Sequence, residues 1–185
     1  MVIKNKTKIT DESITGVMRA SNFDNDRYKK FKIIYNLFGL LFGMMLVQSL
    51  VKHMLGSAEA DTFLTVFFAV GTVIFLYIGM AGMDKSNKKR FQNIYNNMKG
   101  VTFTYTIDSE DIKVTDEEDD SDMFSWEDIV KWNQDMEYFY LFVNQENCLI
   151  IDKKGFISGT EKDLKELATA VFAIRQKVKE KENDN

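Results

Sequence analysis

IIYNLFGLLFGMMLVQSLV, residues 33–51, and TFLTVFFAVGTVIFLYIGMAGM, residues 62–83, decide how the rest of the chain is read. They hold 19 and 22 residues and no charged side chain. At about 1.5 Å of rise per residue they reach roughly 28 and 33 Å, enough to cross a hydrocarbon layer of about 30 Å. A core helix of a water-soluble domain would carry a polar stripe, and neither run has one. A cleaved targeting segment is not the reading, since the first run begins past residue 30 and a second follows closely. The expectation is a transmembrane helical hairpin, residues 31–84, in contact with the lipid bilayer.

The flanks orient it. Arg27, Lys29, Lys30 and Lys32 precede the first run, and Lys85, Lys88, Lys89 and Arg90 follow the second. In the loop between them Lys52 and His53 are offset by Glu59 and Asp61. Positive charge stays inside, so both termini are expected in the cytoplasm of a multi-pass protein of the cell membrane, inner or plasma. No Asp, Glu, Lys, Arg or His lies within either run, which argues against an ion or proton path. On a helix Asn36, Gly39, Gly43, Val47 and Leu50 share one face. Two small residues four apart let helices approach closely, and Asn36 can hydrogen-bond across the contact. That face serves either packing between the two spans of one chain or a homodimer through the first span. Gln48 lies about 120° away near the outer end and is expected to reach the interface.

Charge is split along the chain. Residues 1–99 carry 14 basic and 7 acidic side chains; residues 100–185 carry 10 and 21. The basic collar suits an anionic inner leaflet, whereas the acidic part is repelled by that leaflet and by nucleic acid. Residues 1–30 read as a cytosolic N-terminal arm, with a strand or extended segment at MVIKNKTKIT and a short helix over Ile14, Val17 and Met18 capped by Thr10 or Asp11. Residues 85–99 read as a helical extension of the second span.

From residue 100 to 180 the apolar period changes from helix to strand. VTFTYTI (101–107), EDIKVTD (110–116), residues 123–132, EYFYLFVN (137–144) and CLIID (148–152) read as five strands, the third alternatively as a strand followed by a short turn and the last two as a hairpin. DEEDDSD (116–122) reads as an acidic loop, and residues 153–159 as a loop holding Phe156 and Ile157. A helix follows from about residue 161 to 179, with Leu164, Leu167, Val171, Ile174 and Val178 in one stripe, then a charged tail at 181–185. The fold class is α+β: a two-helix hairpin plus a small antiparallel β-domain covered by a C-terminal helix. In outline such a partial barrel is similar to a pleckstrin-homology fold, which by itself licenses no lipid binding.

Between Trp126 and Phe156 the sequence resembles the YcxB-like family. The shared pattern is Trp126-x-Asp128-Ile129, an aromatic-rich strand, an apolar strand, and a Pro-Lys-x-x-Phe-like turn before a closing helix. Here the turn is Asp152-Lys153-Lys154-Gly155-Phe156, with Asp152 in place of the proline. The resemblance implies a membrane protein with a small β-rich cytosolic domain and no known catalytic residues. Trp126 and Phe156 read as anchors of the sheet on the closing helix, or as a ligand-stacking pair.

Sharper chemistry lacks material. His53 is the only histidine and is expected outside, so a nucleophilic triad, histidine acid–base work and a zinc site are not supported. No phosphate-binding glycine loop is present, and no cofactor is implied. Cys148 is the only cysteine and reads as a buried core thiol. Asp116, Glu118, Asp120, Asp122 and Glu127 fall at positions 1, 3, 5, 7 and 12 of a calcium-loop register, but Ser121 stands where glycine makes the sharp turn. A solvated acidic loop is the preferred reading, and one that can recruit a basic protein partner. The leading functional expectation is a non-enzymatic, membrane-tethered interaction or regulatory module. The alternatives are an oligomeric pore or transporter accessory subunit, and an enzyme using carboxylates alone.

Overall fold

The computed structural model describes residues 2–23, 25–57 and 61–183. The chain forms two compact units: residues 22–90, and residues 1–21 together with 91–185. The class is α+β, as the sequence predicts.

In the first unit, α2 (Asp26–Met54) begins where the Asn25 side chain accepts the Tyr28 N–H at 3.0 Å. Helix α3 (Thr62–Tyr77) begins at Asp61, whose carboxylate accepts the Phe63 and Leu64 N–H groups. Both caps satisfy amide groups that the first turn leaves without partners. Between the helices, residues 58–60 lie outside the described residues, and with them Glu59 of the expected loop charge balance. A π-helical turn (Ile78–Gly82) joins α3 to α4 (Met83–Ile94). The two stretches are 29 and 33 residues long and apolar enough to cross a membrane. The Phe42 ring sits 5.2 Å from that of Phe75 and 5.9 Å from that of Phe68, locking α2 to α3 through aromatic contacts.

The second unit is built from eight strands among the described residues. One sheet has the order β4 (Ser121–Ser125), β3 (Asp111–Thr115), β2 (Thr102–Ile107), β1 (Ile3–Lys8), β8 (Phe156–Ser158). The other has the order β5 (Lys131–Gln134), β6 (Tyr138–Phe142), β7 (Cys148–Asp152). All neighbours in both sheets are antiparallel.

Strand β6 is buried on both faces, which is why its sequence is almost wholly apolar and aromatic. Phe139 and Leu141 pack with Tyr105, Ile107, Trp126 and with Leu164 and Ala168 of α5 (Glu161–Asn183). Tyr138, Tyr140 and Phe142 point the other way, onto Ile14, Val17 and Met18 of α1 (Asp11–Phe23) and onto Phe91 and Tyr95. One strand thus separates two cores, with a helix closing each.

The sequence left open whether the N-terminal segment joins the β-domain. It does: Ile3 pairs with Ile107 and Lys8 with Thr102, and Ile3, Asn5 and Thr7 are fully buried. The second apolar run, expected as helix, contains the π-turn, because hydropathy reports burial and not hydrogen-bond period. Residues 123–132, expected as one strand or as a strand followed by a short turn, hold the end of β4, a 3-10 turn (Trp126–Asp128) that carries the chain from one sheet to the other, and the start of β5. Residues 156–158, expected as loop, form β8 because the open edge of β1 supplies backbone partners. The segment after the apolar runs, expected as helix over residues 85–99, is helical only to Ile94 and turns from Tyr95 to Gly100. Helix α5 runs to Asn183, past its expected end, and residues 184–185 lie outside the described residues.

Candidate functional site

Within the 22–90 unit the predicted packing face meets α3 and the π-turn. Gly39 is buried, and a Cβ there would stand 2.6 Å from Cδ2 of Leu76. Asn36 lies against Gly79, where an added Cβ would come within 2.6 Å of its Oδ1. Gly43 faces Thr72 more loosely, at 3.7 Å. Small residues therefore sit where the backbones come closest, and the amide of Asn36 is placed at the π-turn. Val47 and Leu50, from the same predicted face, remain 61% and 47% exposed, and Leu40 and Met44 are exposed as well. A homodimer through α2 would have those exposed positions available to it.

At the residue 22–32 end of this unit, Asp84 gathers two partners from α2. The Tyr28 hydroxyl donates to one carboxylate oxygen, and the Lys32 ammonium lies 3.0 Å from the other. Sequence reasoning did not find this pairing, since nothing in the local pattern relates positions 56 residues apart. At the opposite end Gln48 lines a shallow cavity of about 180 Å³ with Lys52 and Asp61, and Ser49 hydrogen-bonds Thr65 at 2.5 Å.

In the β-unit each motif residue has a local task. The indole N–H of Trp126 donates to the Asp108 carbonyl at 2.8 Å while its ring joins the core. Asp128 folds back on Ser125, accepting its backbone N–H at 2.7 Å and its hydroxyl at 3.0 Å, which caps the 3-10 turn. Ile129 is fully buried. Arg175 on α5, missed from the sequence because it reads as a surface charge on a helix, donates to the carbonyls of Trp126 and Ile129, the latter at 2.6 Å. It thereby satisfies the C-terminal carbonyls of that turn.

Lys153 is 12% exposed, pairs with Glu161 at 2.8 Å, donates to Gln134 at 3.0 Å and lies 4.8 Å over the Phe139 ring. Phe156 packs half-buried against the same core as Trp126. The turn between them docks on β1. Lys6 N–H donates to the Gly155 carbonyl at 2.8 Å, and a Cβ at Gly155 would stand 2.1 Å from the Lys6 carbonyl oxygen. Beneath it the Asn5 amide donates to the Asp152 carbonyl, and the Thr7 hydroxyl donates to Asn5 and accepts from the Asp152 N–H, all at 2.7 Å. The motif is thus the joint where β1, the 152–156 turn and α5 meet.

Burial in the core holds the thiol and phenol groups of this unit neutral. Burial pushes the Cys148 thiol up to about 12. The Tyr95 hydroxyl, raised first by burial, accepts the Cys148 N–H at 2.8 Å and donates to the Glu146 carbonyl at 3.0 Å. Neither group is an accessible nucleophile at neutral pH. Asp135 is held below the usual carboxylate range. Burial works against its charge, but the Tyr140 hydroxyl at 2.6 Å and the Glu137 and Tyr138 amides outweigh it.

The acidic loop closes on itself: Asp116 accepts the amides of Glu118 and Asp120, and Asp119 takes a left-handed φ of 66°. Positions 6 to 10 of the calcium register are the extended strand β4, so Asp116 and Glu127 stand at opposite ends of it and cannot converge on an ion. Among the described residues no group of three His, Cys, Asp or Glu is placed to hold a metal.

Residues 107–171 match the family model described as YcxB-like protein. The match runs from the end of β2 into α5 and includes every motif residue discussed above, but not β1, α1 or the apolar helices. No curated protein matches the chain.

Proposed function

We propose that this is a two-span protein of the cell membrane, with both ends cytoplasmic, and that it carries its β-unit as a non-enzymatic interaction or regulatory module. One observation carries the membrane reading. Along α2 only Gly39 is buried, along α3 nothing is, and the exposed residues include Ile33, Leu40, Met44, Val47, Phe63, Val66, Val70 and Val73. A water-soluble protein does not leave so long an apolar surface uncovered, whereas lipid covers it without further partners. The basic residues that flank both helices support the inside–inside orientation.

Support for a module without catalysis comes from the β-unit's polar residues. Asn5, Thr7, Asp128, Lys153 and Arg175 are each engaged in holding strands, turns and α5 together. Affinity capture with the full chain from detergent-solubilised membranes tests the reading. The expected result is a chain that resists alkaline extraction from the membrane and retains a stable partner. A chain released by alkali, or recovered alone under mild detergent, contradicts it.

A further inference from the structure

Strand β4 ends the five-stranded sheet, with no strand beyond it among the described residues. The register tells which of its backbone groups are in use. Asp116 N–H donates to the Asp120 carbonyl and Trp126 N–H to the Glu110 carbonyl, so the hydrogen-bonded pairs between them are 114 with 122 and 112 with 124. Asp122 and Phe124 therefore bond to β3, while Ser121, Met123 and Ser125 turn their N–H and C=O groups outward. The Ser125 N–H is already taken by Asp128. Ser121 and Met123 are left with outward donors and acceptors, and the Met123 side chain is 66% exposed.

The charges around this edge are one-sided. Between Asp108 and Asp128 stand eleven carboxylates and one cation, Lys113, which pairs across from Met123. Charges at an edge discourage sheet-to-sheet association. Here they do so selectively. A second copy laid antiparallel on β4 would bring the acidic 116–122 turn of one chain against Glu127 and Asp128 of the other. A lysine- or arginine-rich extended segment meets the opposite situation, with backbone partners at Ser121 and Met123 and carboxylates at both ends.

We propose that the β4 edge is a docking site for an extended basic protein segment, which adds to the sheet as a further antiparallel or parallel strand. This rests on the reading of the β-unit as an interaction module and names the partner's chemistry.

The test uses the full chain in detergent and a fluorescent peptide alternating lysine and valine, read by anisotropy. A peptide of equal charge with proline in place of valine is the comparison. The lysine–valine peptide binds, and the proline peptide binds at least about tenfold more weakly because it cannot form a strand. Met123→Pro removes an outward N–H without touching the β3 ladder and lowers affinity for the lysine–valine peptide about tenfold. Asp120→Asn with Asp122→Asn weakens binding further and flattens its salt dependence. Equal binding of the two peptides would mean charge alone and overturns the proposal, whether or not Met123→Pro folds. Unchanged binding by a folded Met123→Pro chain overturns it too, as does disulfide cross-linking of Met123→Cys between copies. Capture of a natural partner that is insensitive to Met123→Pro removes this proposal and leaves the module reading standing.

Discussion

Gly16 shows how far single positions are constrained. A Cβ there would stand 1.8 Å from the Tyr140 hydroxyl and 3.1 Å from the Asp135 carboxylate, so α1 lies directly on the Tyr140–Asp135 hydrogen bond. Gly16→Ala is expected to destabilise the β-unit by about 1–3 kcal/mol, typical of overpacking. Adding Tyr140→Phe should recover part of that loss, which urea unfolding of the two variants measures. Asp135 also makes stability depend on pH. Its carboxyl is held below the ordinary range, so the stabilisation is present above about pH 4, the unfolded value, and is lost as pH falls through the depressed one. Unfolding temperature is therefore expected to fall less steeply on acidification in Asp135→Asn than in the unaltered chain. A steeper fall contradicts the assignment. Cys148 is buried and its thiol kept neutral, so it should resist maleimide until the chain unfolds.

At the scale of elements, β1 matters most to the β-unit. It sits between β2 and β8, buries Ile3, Asn5 and Thr7, and feeds hydrogen bonds into the end of β7. Deleting residues 2–8 should leave the rest of the unit unable to fold, and proteolysis of the full chain and the deletion in the same detergent would show it. A deletion as resistant as the parent contradicts the placement. Arg175→Ala is expected to cost about 1–3 kcal/mol, since the turn carbonyls of Trp126 and Ile129 lose a charged donor. The elements legible in the sequence were those with an undiluted signal: the two apolar runs, the all-buried β6, and the apolar stripe of α5. Illegible were those defined by partners. A three-residue β8 has no pattern of its own, the alternation of β1 suits a strand or an extended arm alike and does not say which sheet it joins, and the π-turn differs from α-helix only in hydrogen-bond period. The motif residues were visible by type, but their roles depend on Arg175 and Asn5, which are 49 and 147 residues from the groups they bind.

At the scale of the whole molecule, the β-unit is discontinuous. Its first strand and most of α1, within residues 1–21, precede residues 22–90, and residues 91–185 follow them. The apolar hairpin is thus an insertion between α1 and Phe91, and both ends of that insertion must return to the same side for the sheet to close. An even number of crossings satisfies this requirement, which ties the β1–β2 pairing to the proposed topology. Paired cysteine labelling on intact cells tests that claim most directly. One probe is Ser57→Cys in the turn between the apolar helices, the other Met136→Cys at the β5–β6 turn, where the native side chain is 96% exposed, each in a Cys148→Ser background. An impermeant maleimide is expected to label position 57 at once and position 136 only after the membrane is opened. Labelling of position 136 on intact cells, or protection of position 57, would contradict it.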